Sequence, residues 1–295
     1  MNRLSARLLL LIGALLVEKA ALAQDLAEVF DDGEIPWLES EGAEREEGEN
    51  ENDEEEIETD RDSFTPATTT VRRGRMIFES SYSFIENRET AGNHSFPEII
   101  TRYGLTDRVE LRLGWNYEIG GGGEVSNGDS GGAEEDEVAG SERESQALYG
   151  FKFAITEQRG WIPQSAGIIQ ATTPTSGPET NTEPSLGYVF GWTLFDDWKF
   201  DSALRYRPTG TEKDRFNEWA PSVVLKVPVA DKWTAHAEYF GIFTEGKTDG
   251  SNRQYISPGI HYLVTPDCEI GVRVGWGLNH DAANFFSNVG LGYQF

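Results

Sequence analysis

His236 and His261 are the residues best placed in this chain for acid–base chemistry, with carboxylates nearby at Glu238 and Glu269. A lipid hydrolase would need a serine nucleophile beside one imidazole and a third polar group to orient the ring. No serine is spaced to pair with either histidine, so both read as inward imidazoles in hydrogen-bond networks. The two carboxylates read as ion-pair partners rather than a general acid and base. His94 and His280 fall in polar loops. The glycines at Gly120 to Gly123 are followed by acids and not by a lysine or a helix pattern, which excludes a phosphate cradle. Neither acidic tract has the spacing of a calcium loop. Cys268 is the single cysteine, so there is no intramolecular disulfide and no multi-cysteine metal site. The chain therefore reads as a non-enzyme without cofactor or metal.

Charged residues offer a second kind of chemistry, because they recur at alternate positions of otherwise apolar segments. Glu79, Glu98, Arg102, Glu110 and Arg112 come first, and Lys199, Arg205 and Arg207 follow. A period of two puts such side chains on one face of a strand. Cross-strand partners approach within about 5 Å, and unpaired charges in a narrow interior are costly. The first five thus read as a salt-bridged filling that holds a barrel shut, with a lining that selects permeant solutes by charge and size as the alternative. The basic run Lys199, Arg205 and Arg207 has fewer acids at matching positions and reads as an anion-favouring stripe along a lumen. Lys152, Asp201, Lys226, His236, Glu238, His261 and Arg273 share the same face.

Strands must position these residues. From Arg75 onward, segments of about ten residues alternate apolar and polar, as transmembrane barrel strands do. They fall at 75–85, 96–105, 108–119, 146–156, 164–173, 185–194, 198–207, 218–227, 233–243, 253–264, 269–278 and 284–295. The segments at 96–105 and 164–173 alternate least cleanly. Short connections such as Thr106-Asp107, Ala230-Asp231 and Pro266-Asp267 alternate with long polar ones such as 120–145 and 174–183. Bacterial outer-membrane barrels have this asymmetry, with short periplasmic turns and long outer loops. Trp115, Tyr117, Trp192, Trp198, Trp219, Trp233, Tyr239 and Trp276 fall on the apolar faces, where ring and N–H or O–H suit a lipid–water boundary. The last strand carries Val289, Leu291, Tyr293 and a terminal Phe295, the pattern of an assembly signal for outer-membrane barrels. A mean hydropathy of -0.50 is compatible, because only alternate residues of such strands face lipid. The expected fold is an all-β, transmembrane, antiparallel up-and-down barrel of twelve strands over residues 71–295.

The N-terminal quarter differs in kind. Arg3 and Arg7, the apolar run Leu8 to Val17 and Ala21-Leu22-Ala23 form a signal peptide over residues 1–23. Residues 24–70 form an acidic leader, dense enough in Glu and Asp to be expected mostly disordered and periplasmic. Much of the net charge of -26 lies there and in a second tract at Glu134 to Glu144, which argues against a nucleic-acid partner. The implied partners are outer-membrane lipid, the barrel assembly machinery and a small-molecule solute, in a Gram-negative type of envelope. Both termini are expected in the periplasm.

A family resemblance rests on specific residues. Asp60-Arg61-Asp62-Ser63-Phe64-Thr65, then Gly74, Phe78-Glu79-Ser80-Ser81-Tyr82 and the run from Pro97 to Arg112 resemble the opening of the family described as "putative MetA-pathway of phenol degradation". The one departure is Asp62, where that pattern leads one to expect proline. The resemblance implies an outer-membrane barrel that transports small, phenol-like aromatic compounds. The sequence contains no nucleotide motif to supply energy, so the expected process is passive diffusion, with Asp60 to Thr65 as a gate at the periplasmic mouth. The alternatives are a closed structural or surface-display barrel and, below it, a lipid hydrolase.

Overall fold

Alternation at period two produces twelve strands: β1 (Met76–Glu86), β2 (Asn93–Thr106), β3 (Val109–Gly120), β4 (Glu142–Thr156), β5 (Gln164–Ser176), β6 (Glu183–Thr193), β7 (Lys199–Thr211), β8 (Asp214–Ala230), β9 (Trp233–Glu245), β10 (Asn252–Thr265), β11 (Cys268–Gly277) and β12 (Phe285–Gln294). The structure is a computed structural model and describes residues 56–61, 63–88, 91–120, 142–177, 180–211, 214–246 and 250–295. Each strand pairs antiparallel with its neighbours in sequence, and β1 closes on β12 through Phe78↔Tyr293 and Tyr82↔Val289. Closure leaves no sheet edge, which a membrane wall requires because lipid cannot satisfy backbone N–H and C=O groups.

The strands fall where alternation places them, with the main differences in β2, β7, β8 and β4, which begins four residues early at Glu142. β2 begins at Asn93, and its register shifts between Ser95 and Glu98 against both β1 and β3. That bulge interrupts the period and explains the poor alternation there. β7 and β8 run further than expected, because their ladder continues through Thr209↔Phe216 to Thr211↔Asp214. Outside, Leu113, Trp115, Phe151, Leu186, Val289 and Leu291 form part of an exposed apolar wall. The eight aromatics expected on that face all lie on it or beside the 3₁₀ turn Phe195–Asp197.

The leader's last residues run deeper than the periplasmic mouth at which Asp60 to Thr65 are expected. The part of 24–70 that is described, from Glu56 onward, does not stay outside the barrel. It enters at the short-turn end, where Ile57 N–H donates to Pro266 O at 2.8 Å. It reaches Phe64, stacked on Phe240 midway along β9, and returns to Val71 and Arg73, which bridges Gly104. This segment carries five Thr and single Ser, Ala and Phe residues, and hydroxyls can be buried where they are hydrogen-bonded. Ser63, Thr65 and Ala67 are fully buried. The expected signal peptide, the leader up to residue 55, Asp62 and the loop at 121–141 with most of its acidic tract lie outside the described residues.

Two glycines admit the leader. A side chain at Gly104 would strike the backbone carbonyls of Val71 and Arg72, and one at Gly292 would strike Thr59. Backbone at Gly104 has no flexible side chain to move aside. Gly104→Val should therefore loosen the leader at a cost of about 1–3 kcal/mol from overpacking. The folded barrel should keep its heat-modifiable gel mobility while protease gains access to residues 57–71; unchanged protection would contradict this packing.

Candidate functional site: a plugged lumen

Inward side chains of β1, β2, β3 and β4 meet the leader in an ionic layer near the short-turn end. Asp60 is its centre. Its carboxylate accepts from Arg112 at 2.5 Å and lies 3.4 Å from both Arg102 and Lys152, while Ala67 N–H donates to it at 3.0 Å and closes the leader's turn. Arg102 also pairs with Glu79 at 2.9 Å and Glu110 at 3.2 Å, and Arg112 pairs with Glu110 at 2.8 Å. Arg61 reaches Glu98 at 3.3 Å. Thus Arg61, Arg102, Arg112 and Lys152 face Asp60, Glu79, Glu98 and Glu110, a balanced set buried almost completely.

The wall holds the leader by its backbone as well. Glu79 accepts from the N–H groups of Asp60 and Arg61 at 3.0 and 2.9 Å. Glu238 accepts from Phe64 N–H, Thr65 N–H and the Thr65 hydroxyl at 2.8–2.9 Å, and Glu110 from Val71 N–H at 3.0 Å. A charged acceptor roughly doubles the strength of each such bond. Three wall carboxylates thereby satisfy backbone donors that no strand supplies with a partner.

Above the ionic layer lies an aromatic one. Phe64 stacks on Phe240, which packs against Tyr255 and Phe286. The loop between β11 and β12 folds inward over them: Ala283 N–H donates to the Tyr255 hydroxyl, and Arg88 holds the Ala282 carbonyl at 2.8 Å. Nearer the long-loop end, Arg207 pairs with Glu183 at 3.2 Å and Glu218 at 2.9 Å, and Arg253 also reaches Glu218. At the opposite end a cavity of about 380 Å³ lies beneath the leader, with Glu58, Lys199, Lys226, His261 and Glu269 in its lining.

The structure thus brings Glu79, Glu98, Arg102, Glu110 and Arg112 into one cluster and spreads Lys199, Arg205 and Arg207 along β7. Each of those three has a partner: Lys199 pairs with Glu58 at 3.0 Å, Arg205 lies over the Phe64 ring, and Arg207 meets two glutamates. The facing acid for Lys199 comes from the leader, a source strand spacing cannot reveal. Val289, Leu291, Tyr293 and Phe295 face outward. His236 and His261 stack inside the lumen, Nδ1 to Nε2 at 2.5 Å, and both are buried. Asp60, Phe64, Phe240, Tyr255 and Phe286 escape the sequence reading of the lumen. A signal existed: Phe240 and Phe286 share the strand face of Glu238 and Asn288.

Burial pushes the Glu58 carboxyl up, but Lys199 and Lys226, with hydrogen bonds from Thr69 and Lys199, outweigh it and lower it from 4.5 to about 2. Burial likewise opposes the charge of Asp60, yet Arg102, Lys152 and Arg112 hold it well below the usual carboxylate range. A depressed value stabilises the docked leader above the free carboxylate's pKa, and that stability fades as pH falls through the docked one. Leader docking should therefore be constant from neutrality to pH 4.5 and weaken between 4.5 and about 2. Protease access to the leader across that range checks the sign, and a flat profile would refute it. Asp60→Ala should release the leader at neutral pH, because stripping one partner from a buried ion network costs about 3–5 kcal/mol.

Solved structures share this architecture. The NanC porin is 9% identical, with a TM-score of 0.50 over 74% of this chain and 98% of its own. The KdgM porin is 12% identical with a TM-score of 0.44, covering 74% of this chain and 99% of that one. The translocator domain of the autotransporter NalP from Neisseria meningitidis is 12% identical with a TM-score of 0.46, over 75% and 88%. At such identities the likeness concerns the fold alone, that of an outer-membrane barrel. No curated protein matches the chain. A family profile does, over residues 59–295, and it starts at the buried leader segment instead of the first strand. The chain belongs to the family described as "putative MetA-pathway of phenol degradation".

Proposed function

We propose that this protein is an outer-membrane channel for passive uptake of small solutes, gated by the leader segment 57–71. One observation carries the reading: the leader fills the lumen without contributing a strand. Twelve antiparallel pairings close the wall, so the segment can leave while every ladder stays intact. It is held by hydrogen bonds and ion pairs, which exchange more readily than a sheet. Phenol-like aromatic compounds are the solutes that the family description favours. The short-turn end and both termini face the periplasm in this reading, after export by the signal peptide and insertion by the barrel assembly machinery. It needs no catalytic group, cofactor or nucleic acid.

The wall charges that remain after the leader departs, Arg102, Arg112 and Lys152 against Glu79, Glu98 and Glu110, are balanced in sign. That balance also suits a closed structural barrel, which is the second reading. Conductance of the mature chain in planar bilayers separates the two. The intact protein should be mostly silent, and deletion of residues 57–70 should produce discrete steps. A deletion variant that folds as a heat-modifiable barrel yet stays silent would leave the structural reading in place.

A further inference from the structure

Phe64 is the one aromatic side chain among the leader's described residues, and the wall receives it in a shaped slot. Its ring lies 4.1 Å from that of Phe240 with an angle of 7° between their planes, and the Arg205 guanidinium carbon is 4.7 Å from its centroid. The ring thus has an aromatic plate stacked on it and a cation over it. Phe240 belongs to β9 and Arg205 to β7, so both stay in the wall when the leader moves. Phe240 is itself backed by Tyr255 at 4.9 Å and Phe286 at 5.9 Å, which fixes the plate in advance. Glu238 receives the three donors of Phe64 and Thr65, and loses all of them if the leader lifts.

We infer that this slot is a binding site for one planar aromatic ring bearing a hydroxyl group, and that such a solute competes with Phe64 for it. Coplanar stacking and a cation over the ring both require a π system, so a saturated ring of equal size gains only contact area. The hydroxyl replaces a lost donor at Glu238, since a buried carboxylate needs hydrogen bonds. A carboxylate on the ring would instead face Glu238 with like charge. Competition makes the solute its own key, because binding in the slot favours the state in which the leader is undocked. The gating consequence rests on the channel reading; the binding does not.

The test is a titration of the full mature chain, folded in detergent micelles, with 4-fluorophenol observed by fluorine NMR, with empty micelles as the blank. Saturable binding should tighten by about tenfold or more in Phe64→Ala, where the internal competitor is gone and the binding-competent fraction rises. It should disappear in Phe64→Ala combined with Phe240→Leu, and weaken when Phe64→Ala is combined with Arg205→Gln. Heat-modifiable mobility shows that each variant is folded. Equal affinity of wild type and Phe64→Ala would overturn the inference, as would retention of binding without Phe240 or equal binding of 4-fluorocyclohexanol. Conductance of the 57–70 deletion variant recorded in parallel keeps the two readings apart. Binding without current leaves the slot standing and sinks the channel, and current without binding does the reverse.

Discussion

Asp60 is the contact on which the interior depends. Arg102, Arg112 and Lys152 project into a lumen where they are almost wholly removed from water, and Asp60 is the carboxylate that touches all three. The wall contains acids of its own, but Glu79 and Glu110 are engaged on two sides, by arginines and by backbone N–H groups of the leader. Each partner therefore presents both signs to the other. A buried charge without its counterpart is expensive, so leader and wall form an interlocked set rather than a tail resting in a pore.

This arrangement explains how a twelve-stranded barrel manages an interior wider than its own side chains can fill. Eight-stranded barrels close by side-chain packing and sixteen-stranded ones leave a channel. Here a non-strand segment occupies the intermediate space, in layers whose chemistry changes with height. The ionic layer near the short-turn end holds Asp60 and Arg61, the aromatic layer holds Phe64, and a second ionic layer built by Arg207, Glu218 and Arg253 lies towards the long loops. In that order an apolar layer lies between two charged ones.

The wall was largely legible from the residues. Period-two alternation located twelve strands, and the strand face predicted for Glu79, Glu98, Arg102, Glu110 and Arg112 is the lumen face. Legibility failed where the local period was interrupted, as at the bulge between Ser95 and Glu98, and where loops shortened because ladders continued, as between β7 and β8. It failed more seriously for the leader. Strand spacing predicts which wall residues are opposite one another, and it contains no term for a segment that enters from outside the sheet. Hence Lys199 looked unopposed until Glu58 came beside it, and Phe240 looked like one more alternating residue until Phe64 lay on its face.

The sequence by itself determined a closed antiparallel wall, apolar outside and charged within, because side chains of a strand can point only two ways and lipid tolerates only one kind on its side. It also marked Asp60 to Thr65 as a motif of the family. Only the tertiary structure decided what that motif does. Its seat is assembled from residues as distant as Glu79, Arg112, Ser222 and Glu238, which closure of the barrel brings around a single axis. Pairings over such separations depend on the register of every intervening strand, so no local pattern could encode them.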